Sequence, residues 1–525
     1  MKRIFEERQA KLDGITAKGL NPYPYAYETT HHSAEVREGF EALSESGETV
    51  SVAGRIMALR PHGKTAFANL RDLKGDIQVY FRKDDLGEEE FGLVGLFDVG
   101  DIVGVKGRVF KTRTEEITVR VSEFALLTKS MRPLPEKWHG LKDKETRYRQ
   151  RYVDLFVNLD VRETVVRRAA IIATMRRFLD GRGFIEVETP ILQPIYGGAS
   201  AQPFTTYHNA LDMKLYLRIA DELYLKRLLV GGLERVYEFC KDFRNEGVDR
   251  THSPEFTMLE LYQAYADYND MMDLFEEMME TVCMEVLGTT EVTYQGRTVS
   301  FARPWKRITV AEAYKKYAGV DIDGASDEDL RAACERIGQG DWASMTRYDL
   351  LGEILDHLVE PNFEEPTFLY DYPVETSPLA KRSRKNGRFT ERFEPFAFGV
   401  ELGNAFSELN DPAEQRARFE EQKRLAGEEE MDLDFLRSLE YGMPPAGGLG
   451  VGIDRVVMIL TDSPSIRDVI LFPPMRPEAA RDDDEDGPGD GGHGGGKGDG
   501  VDGQGGCGGG DGGDEGSAES AQGIG

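Results

Sequence analysis

The stretch of the chain with the most chemically capable side chains is FRNEGVDRTHSPEFTMLELY, residues 243–262. Two arms of alternating apolar residues flank a charged loop, a pattern that predicts a β-hairpin. Period-two alternation puts four side chains on one face of the second arm, Phe256, Met258, Glu260 and Tyr262. A buried carboxylate is costly unless it is neutralised or paired. Glu260 is therefore expected to contact an internal cation or to bind a cationic ligand.

The first arm of the predicted hairpin carries a cation suited to phosphate. Arg244 and Glu246 are expected to share one face of this arm. The planar guanidinium of Arg244 can make two parallel contacts to phosphate oxygens, which an ammonium cannot. The alternative is that Arg244 forms a salt bridge with Glu246 or with another neighbouring acid.

Three segments of the chain, in order, resemble the signature motifs of the class II aminoacyl-tRNA synthetases. The predicted hairpin resembles motif 2 in the form carried by lysine-specific members of that family. GFIEVETPIL (residues 183–192) is similar to motif 1, and GLGVGIDRVVMIL (residues 448–460) is similar to motif 3. The glycines of the third segment also suggest a dinucleotide loop, but their spacing and the missing acidic partner disfavour it. The resemblance covers most of residues 1–477.

The resemblance implies an activity. It implies that the chain activates L-lysine with ATP to form lysyl-adenylate and pyrophosphate, and then transfers lysine to the 3′ end of tRNA(Lys). Adenylate formation requires two anions to be oriented and developing negative charge to be stabilised. The resemblance assigns this catalytic work to Arg244 and Arg455. It assigns ATP binding to Arg244, Glu246, His252, Phe256 and Arg455.

A lysine pocket needs a fixed carboxylate for the side-chain ammonium and an acceptor for the α-amine. The resemblance implies seven lysine-binding residues: Gly198, Glu222, Glu260, Tyr262, Asn404, Phe406 and Glu408. Glu260 and Glu408, with Tyr262, match the ε-ammonium end. Glu222 and the backbone of Gly198 match the α-amine end.

The predicted lysine preference rests on one condition. Glu260 and Glu408 must lie at the bottom of a cleft without a resident Arg or Lys beside them. An aspartate pocket would need basic residues on the matched strands, and these are absent. Asp221 stands where this family usually has an apolar residue or Pro, which affects the expected backbone there and not the role of Glu222.

Glu394 and Glu401 match two acidic positions that hold Mg²⁺ on the ATP phosphates in this family. Oxygen ligands are those that Mg²⁺ prefers, and the ion acts as Lewis acid and template. Simple alternation puts Glu394 and Glu401 on opposite faces, so a turn or bulge is predicted near Gly399 or Gly403. The alternative is that both are solvated strand carboxylates.

The elements that must position these residues indicate an α+β fold. After a helix and a connector in residues 2–45, five short alternating runs between Val50 and Leu127 predict a five-stranded OB-fold barrel. In the family this barrel binds the anticodon, and Arg55, Phe67 and Gln78 match the binding positions. A ring stacks an unpaired base and an amide reads its edge. The alternative for Phe67 is a ring in the barrel core.

The predicted domains are residues 1–140 (helix and OB-fold), 141–477 (catalytic, with a helical insertion around 309–390) and a disordered acidic tail, 478–525. The catalytic part is expected to contain an amphipathic helix over residues 163–182, ended by Gly183, a strand over 184–192, and β segments from about residue 393. In the family the helix and strand form a dimer interface, so the resemblance implies a homodimer.

The composition limits the class of protein. At 525 residues more than one domain is expected. The net charge is −29, and residues 482–525 hold twelve Asp or Glu and one Lys, with too few apolar residues to fold. The four cysteines have no CxxC spacing, which disfavours a zinc ribbon and a disulfide framework. Without a signal peptide or a membrane-spanning segment, a cytoplasmic location is predicted.

Two other functions remain open at this point. One is a sister enzyme for another amino acid, which would differ in the amino acid that drives ATP–pyrophosphate exchange. The other is a regulatory RNA-binding protein with a dead catalytic domain. That alternative predicts lost motif residues, whereas Arg244, Glu394, Glu401, Glu408 and Arg455 are all present.

Overall fold

The computed structural model describes residues 2–135, 141–199, 201–426 and 431–477. The predicted acidic tail, residues 478–525, with Cys507 inside it, lies outside the described residues. The described chain forms two compact units, one up to Pro133 and one over Leu134–Pro477.

The first unit is built on a closed barrel. Its strands are β1 (Thr49–His62), β2 (Thr65–Arg71), β3 (Asp76–Arg82), β4 (Ile102–Lys111) and β5 (Ile117–Thr128), joined in the order β1-β2-β3-β5-β4. The predicted five-stranded barrel is confirmed. The helices of this unit are α1 (Lys2–Ala17), α2 (Ser33–Glu38), α3 (Phe40–Ser46), α4 (Lys83–Leu86) and α5 (Glu88–Val94). The sequence predicted α1 but not the other four.

Period-two alternation decides which side chains fill the barrel. On β2 the small residues Ala66 and Ala68 are buried in the core, and on β3 Ile77 and Val79 are buried there. The residues between them, Phe67 among them, are only half-buried and point to the other face of the sheet. The register therefore disfavours the alternative that Phe67 is a ring of the barrel core, and its anticodon-binding role stays a prediction.

The second unit contains a large, mainly antiparallel sheet and two small ones. Its strands are β6 (Ile185–Glu186), β7 (Leu192–Gln193), β8 (Thr205–His208), β9 (Met213–Leu217), β10 (Arg235–Phe243), β11 (Glu255–Ala264), β12 (Glu291–Tyr294), β13 (Arg297–Ser300), β14 (Lys306–Thr309), β15 (Thr367–Pro373), β16 (Phe389–Ala397), β17 (Val400–Glu401), β18 (Gly403–Ser407) and β19 (Ala446–Gly452). The large sheet has the order β14-β15-β16-β18-β19-β11-β10-β6, with β17 paired to β16.

The helices of this unit are α6 (Lys144–Arg149), α7 (Arg151–Val157), α8 (Leu159–Asp180), α9 (Glu222–Val230), α10 (Tyr268–Val282), α11 (Val310–Ala313), α12 (Asp327–Cys334), α13 (Arg347–Ile354), α14 (Pro412–Ala426), α15 (Leu433–Glu440), α16 (Ile453–Leu460) and α17 (Ile466–Val469). Strand β11 shows how the sheet separates core from site. Leu259 and Leu261 join an apolar core with side chains of α8, α10 and α16, which leaves Glu260 and Tyr262 on the opposite face.

Two predicted boundaries around motif 1 are wrong. The amphipathic helix begins at Leu159 and ends at Asp180 with Gly181 as its C-cap, and Gly183 takes a left-handed φ of 76° in the turn that follows. The strand predicted over residues 184–192 is reduced to β6 and the start of β7. Between them the Thr189 backbone N–H and hydroxyl both donate to Glu238, so this backbone N–H is not available to a strand ladder.

The predicted helical insertion over residues 309–390 also needs correction. Helices α11, α12 and α13 lie there, but so does β15, which pairs with β16 inside the large sheet. Strand β16 begins at Phe389, earlier than the predicted residue 393. The aromatic side chains Phe368 and Phe393 pack together with ring centroids 5.2 Å apart, so tertiary packing stabilises these strands where local periodicity was weak.

Candidate active site

All fourteen residues predicted to bind ATP, lysine or metal line one cavity of about 720 Å³ in the second unit. They are Gly198, Glu222, Arg244, Glu246, His252, Phe256, Glu260, Tyr262, Glu394, Glu401, Asn404, Phe406, Glu408 and Arg455. The antiparallel hairpin of β10 and β11 is confirmed, with Glu238 opposite Glu260 and Asp242 opposite Phe256. The cavity therefore brings together residues that lie far apart in the chain.

The glycines of motif 3 make room for the acidic side chains of the cavity. Strand β19 lies between β11 and β18, and Gly450 is paired with Glu260 while Gly448 is paired with Tyr262. A Cβ added at Gly450 would clash with the Glu260 carboxylate, and one at Gly448 would clash with Glu408 and Tyr262. These glycines are explained by close packing and not by a dinucleotide loop.

Glu260 is a buried carboxylate without a resident cation. Its side chain is buried, accepts one hydrogen bond of 3.2 Å from the Tyr262 hydroxyl, and forms no ion pair within the described chain. Burial raises the pKa of Glu260 well above its ordinary value, and the charges of Asp221 and Glu222 raise it further. The condition set for Glu260 by the lysine prediction is met.

For Glu408 the prediction that no resident Arg or Lys lies beside it is wrong. Lys226, which is fully buried on α9, places its Nζ 2.5 Å from Glu408 Oε2 and 2.5 Å from Glu222 Oε1. Burial lowers the pKa of Lys226, but the two carboxylates more than offset this and raise it overall. Burial likewise raises the pKa of Glu408 despite the opposing effect of Lys226.

Sequence reasoning missed Lys226, although one signal was present. Lys226 follows Glu222 by four residues, which is the spacing of an ion pair on a helix such as α9. Its contact with Glu408 is long-range and had no sequence signal. Because one ammonium cannot balance two carboxylates, Glu222 and Glu408 together keep a negative charge when both are ionised.

The α-amine end of the cavity is formed where the chain passes α9. Gly198 has a left-handed φ of 89°, and an added Cβ would lie 3.0 Å from Ala220 Cβ and 3.5 Å from Glu222 Cβ. Glycine is needed here because both the conformation and the space exclude a side chain. Glu222 is the first residue of α9 and is 6% exposed, so its remaining oxygen is held beside the Gly198 backbone.

At the other end of the cavity, Arg244 lies over the ring of Phe256, with 5.1 Å between Cζ and the ring centroid. Its Nε is buried and has no hydrogen-bond partner. Strand β10 ends at Phe243, so the prediction that Arg244 and Glu246 share a strand face is wrong; both lie in the following loop. In the described residues no ion pair joins Arg244 to the exposed Glu246, which disfavours that part of the salt-bridge alternative. The charge of Arg244 does act on the neighbouring Asp242, where it opposes the rise in pKa caused by burial.

Arg455, near the start of α16, connects three of the predicted residues. Its Nη1 donates to the Glu401 carboxylate at 2.9 Å, and its Nη2 lies 3.1 Å from His252 Nε2. His252 is held in turn by Asp249, at 2.8 Å from Nδ1. The motif 2 loop, motif 3 and Glu401 therefore meet at one guanidinium.

Glu394 and Glu401 line the same side of the cavity. The predicted turn is confirmed, because Phe398 and Gly399 take left-handed φ values of 55° and 71° between the paired strands β16 and β17. Glu394 accepts a 2.6 Å hydrogen bond from the Tyr372 hydroxyl and a short one from Arg392. Burial raises the pKa of Glu394, and the charge of Glu401 adds to the rise while Arg392 opposes it.

Arg392 was not predicted, and it organises the remaining two lysine-site residues. Its Nε donates to Asn404 Oδ1 at 3.0 Å, and its Cζ lies 5.8 Å from the Phe406 ring centroid. Arg392 stands two residues before Glu394 on β16, so alternation places both on one face. That periodicity was the available signal.

The barrel of the first unit carries a second candidate site. Phe67 pairs with Tyr80 across β2 and β3, with ring centroids 4.7 Å apart, and Gln78 lies on the same face. Gln78 Oε1 accepts a 2.9 Å hydrogen bond from Thr118, which leaves its amide N–H groups to other partners. Arg55 is half-buried and donates to the Gly100 carbonyl at 2.7 Å. Tyr80 was not predicted, although alternation with Gln78 indicated it.

A substitution tests whether this aromatic face binds RNA. Phe67→Ala should lower the rate of tRNA charging by roughly 10-fold or more, because base stacking contributes about 1–3 kcal/mol per base. ATP–pyrophosphate exchange should be unchanged. The contrasting variant is Phe81→Ala, which removes a barrel-core ring and should cost about 3–5 kcal/mol of stability. Equal loss of stability in both variants would assign Phe67 a purely structural role.

Comparisons with known proteins agree with this architecture. Residues 143–476 match the family described as tRNA synthetases class II (D, K and N), and residues 50–127 match the OB-fold nucleic acid binding domain. The chain belongs to the class II tRNA synthetases of the D, K and N group. It is 57% identical to the lysine–tRNA ligase of Moorella thermoacetica over 90% of this chain and 97% of that protein. It is 55% identical to the lysine–tRNA ligase of Carboxydothermus hydrogenoformans, over 91% and 99% of the two chains.

One further observation concerns membranes. Across the described ranges, none of the helices combines the length and the apolar character needed to cross a bilayer.

Proposed function

We propose that this protein activates L-lysine with ATP and transfers it to tRNA(Lys). The observation that carries the proposal is the charge balance of the cavity. Glu222, Glu260 and Glu408 bring three carboxylates, and Lys226 brings one ammonium. Two negative charges are left when all are ionised. Free lysine supplies two ammonium groups, and the lysine–tRNA ligases named above support the same substrate.

Lys226 pairs with Glu222 and Glu408 but not with Glu260. Glu260 therefore stays available to the ammonium of the substrate, and the proposed preference for lysine is kept. Burial raises the pKa of both Glu260 and Glu408, so both hold protons more tightly in the empty cavity. The ammonium of a bound lysine favours the ionised form of both carboxylates. Lysine binding and carboxylate ionisation therefore promote each other. An apolar analogue would leave these buried groups unpaired and is expected to be rejected strongly.

The end of the cavity that holds Arg244, His252 and Arg455 is suited to the phosphates of ATP. Arg244 has a buried Nε without a partner and is oriented by stacking on Phe256, so its guanidinium is held in place before the substrate arrives. Such a preorganised cation stabilises negative charge that develops at the α-phosphate. Arg455 and His252 are joined at 3.1 Å and border the same space, where they contact the outer phosphates in this proposal.

The carboxylates Glu394 and Glu401 are the residues that would hold Mg²⁺. Their fit rests on chemistry seen here, since each is an oxygen donor on the cavity wall and the charge of Glu401 raises the pKa of Glu394. When bound, the ion supplies Lewis-acid charge to the phosphates of ATP. Arg392, Tyr372 and Arg455 hold these two carboxylates in place.

The barrel face with Phe67, Gln78 and Arg55 is assigned to the anticodon of the tRNA in this proposal. It fits a single-stranded base because a half-exposed aromatic pair lies beside a side-chain amide. The homodimer and the cytoplasmic location stay predictions from the sequence.

ATP–pyrophosphate exchange, measured with each of the twenty amino acids, tests the proposed activity. Lysine should support exchange and the other nineteen should support little or none. Exchange with aspartate or asparagine instead would identify a sister enzyme. An absence of exchange with every amino acid, together with retained tRNA binding, would favour a regulatory RNA-binding protein.

A substitution at Glu408 tests its assignment. Glu408→Gln should raise the KM for lysine by roughly 10- to 100-fold, because a charge-assisted hydrogen bond to an ammonium is replaced by a neutral one. The KM for ATP should change little. Glu440→Gln on α15 is the matched control, since Glu440 is exposed and does not line the cavity. Equal damage to lysine and ATP use would show that Glu408 is wrongly placed.

A further inference from the structure

A cluster of three buried side chains next to the lysine cavity has no role in the proposed reaction. It consists of Asp221, Cys240 and Asp242, and one ligand atom from each lies within 4.8 Å of the others. Cys240 and Asp242 are two residues apart on β10 and so point to the same side of the strand. Asp221 comes from the residue before α9, on a separate segment of the chain.

Asp221 is the member of this cluster whose carboxylate is unsatisfied. It is fully buried, and neither of its carboxylate oxygens has a hydrogen-bond partner. It occupies the N-cap position of α9, where an Asp side chain normally accepts a backbone N–H, yet it makes no such bond. A buried carboxylate left without any partner is costly, which points to a ligand that would satisfy it.

The charges around the cluster lead to the same conclusion. The nearest cation is Arg218, whose Nε lies 3.4 Å from Asp242 Oδ1. Arg218 is mainly engaged elsewhere, because its Nη1 donates to Glu238 at 2.8 Å. The charge of Arg244 also lowers the pKa of Asp242, against the larger effect of burial. Three carboxylates, those of Asp221, Glu238 and Asp242, therefore share two guanidinium groups, so one negative charge is left over when all three are ionised.

We propose that Asp221, Cys240 and Asp242 bind one zinc ion. A thiolate with two carboxylates is a donor set suited to Zn²⁺, and three protein ligands leave one position for water. A tetrahedral ion with bonds of about 2.0–2.3 Å places its ligand atoms roughly 3.5 Å apart. Cys240 Sγ and Asp242 Oδ1 are already 3.9 Å apart, so small side-chain rotations close the site.

The binding step is balanced by proton release. The Cys240 thiol gives its proton to solvent as the zinc–sulfur bond forms, and any proton held by Asp221 is released in the same way. Zinc affinity is therefore expected to rise with pH. Asp242 also lines the cavity, which gives the ion a path of entry. The competing occupant is a proton shared between Asp221 and Asp242.

Cobalt titration of the metal-free, full-length protein tests the proposal, with Co²⁺ as a spectroscopic substitute for Zn²⁺. Wild-type protein should bind one Co²⁺ per chain and show thiolate-to-cobalt charge-transfer absorption that added Zn²⁺ removes. Cys240→Ser should abolish this absorption, and Asp221→Asn should weaken binding at least 10-fold. Two matched controls, Cys283→Ser and Cys507→Ser, should keep wild-type binding, because Cys283 is buried elsewhere and Cys507 lies in the tail.

Three outcomes would overturn the site. They are no stoichiometric cobalt binding by wild-type protein, unchanged absorption in Cys240→Ser, and loss of the absorption in either control. Circular dichroism on every variant separates a folding defect from a binding defect. If Cys240→Ser fails to fold, Asp221→Asn decides the question, since unweakened binding by that variant also overturns the site. The measurement uses neither lysine nor tRNA, so its failure is independent of the proposed activity.

Discussion

Glu260→Gln should raise the KM for lysine in ATP–pyrophosphate exchange by roughly 100- to 1,000-fold, equivalent to about 3–4 kcal/mol. The expected loss is large because Glu260 is buried in the cavity wall and forms no ion pair among the described residues. Glutamine preserves the shape of the side chain and its contact with Tyr262 but not the charge. The KM for ATP should stay within about threefold of wild type, because the phosphate end of the cavity is unaltered.

The matched control for this variant is Glu255→Gln. Glu255 lies on the same strand, its side chain is 54% exposed, and it does not line the cavity. It should leave both KM values unchanged. If the two substitutions have the same effect on lysine, or if Glu260→Gln affects ATP as strongly as lysine, Glu260 does not bind the ammonium.

The pH dependence of the free energy of unfolding provides a second test of Glu260→Gln. Burial raises the pKa of Glu260 in the folded protein, so the folded state binds a proton more tightly than the unfolded state. The ligand-free protein should then lose stability as pH rises above the ordinary Glu value of 4.5. Urea denaturation from about pH 5 to 8 should show a shallower decline for Glu260→Gln. A decline as steep as that of wild type would mean that Glu260 is not the titrating group.

Arg244→Lys should lower kcat for adenylate formation by roughly 100- to 1,000-fold, with the KM for lysine within about threefold of wild type. Lysine preserves the positive charge, but it loses the planar fork and the stacking on Phe256 that orients it. The effect is expected on kcat because, in the proposed function, Arg244 stabilises charge that develops only in the transition state. Exchange kinetics at saturating lysine and ATP give the measurement.

Arg235→Lys is the control for Arg244→Lys. Arg235 is exposed at the start of the same strand, β10, and lies outside the cavity lining. Its replacement should not change kcat. An Arg244→Lys variant with wild-type kcat and an increased KM for ATP would show that Arg244 only binds ground-state ATP.

Local periodicity predicted the parts of the structure that depend on neighbouring residues. The five barrel strands and the β10–β11 hairpin follow from alternation, and the turn at Phe398 and Gly399 follows from the need to bring Glu394 and Glu401 to one side. The fourteen predicted site residues also line one cavity, while their individual roles stay predictions. The errors arose where tertiary contacts outweigh local preference, as in β15 and the shortened strand after α8.

The sequence by itself determined the two-part architecture, the family and fourteen of the residues that line the cavity, because those depend on spacing and on residue type. Only the tertiary structure decided the electrostatic state of the cavity. Lys226 reaches Glu408 through the packing of α9 beside the large sheet, and no sequence period connects these two positions. The same packing leaves Glu260 without an ion pair among the described residues and leaves both carboxylate oxygens of Asp221 without a hydrogen-bond partner. Charge balance in a buried site is set by three-dimensional proximity, which is why it appeared only with the fold.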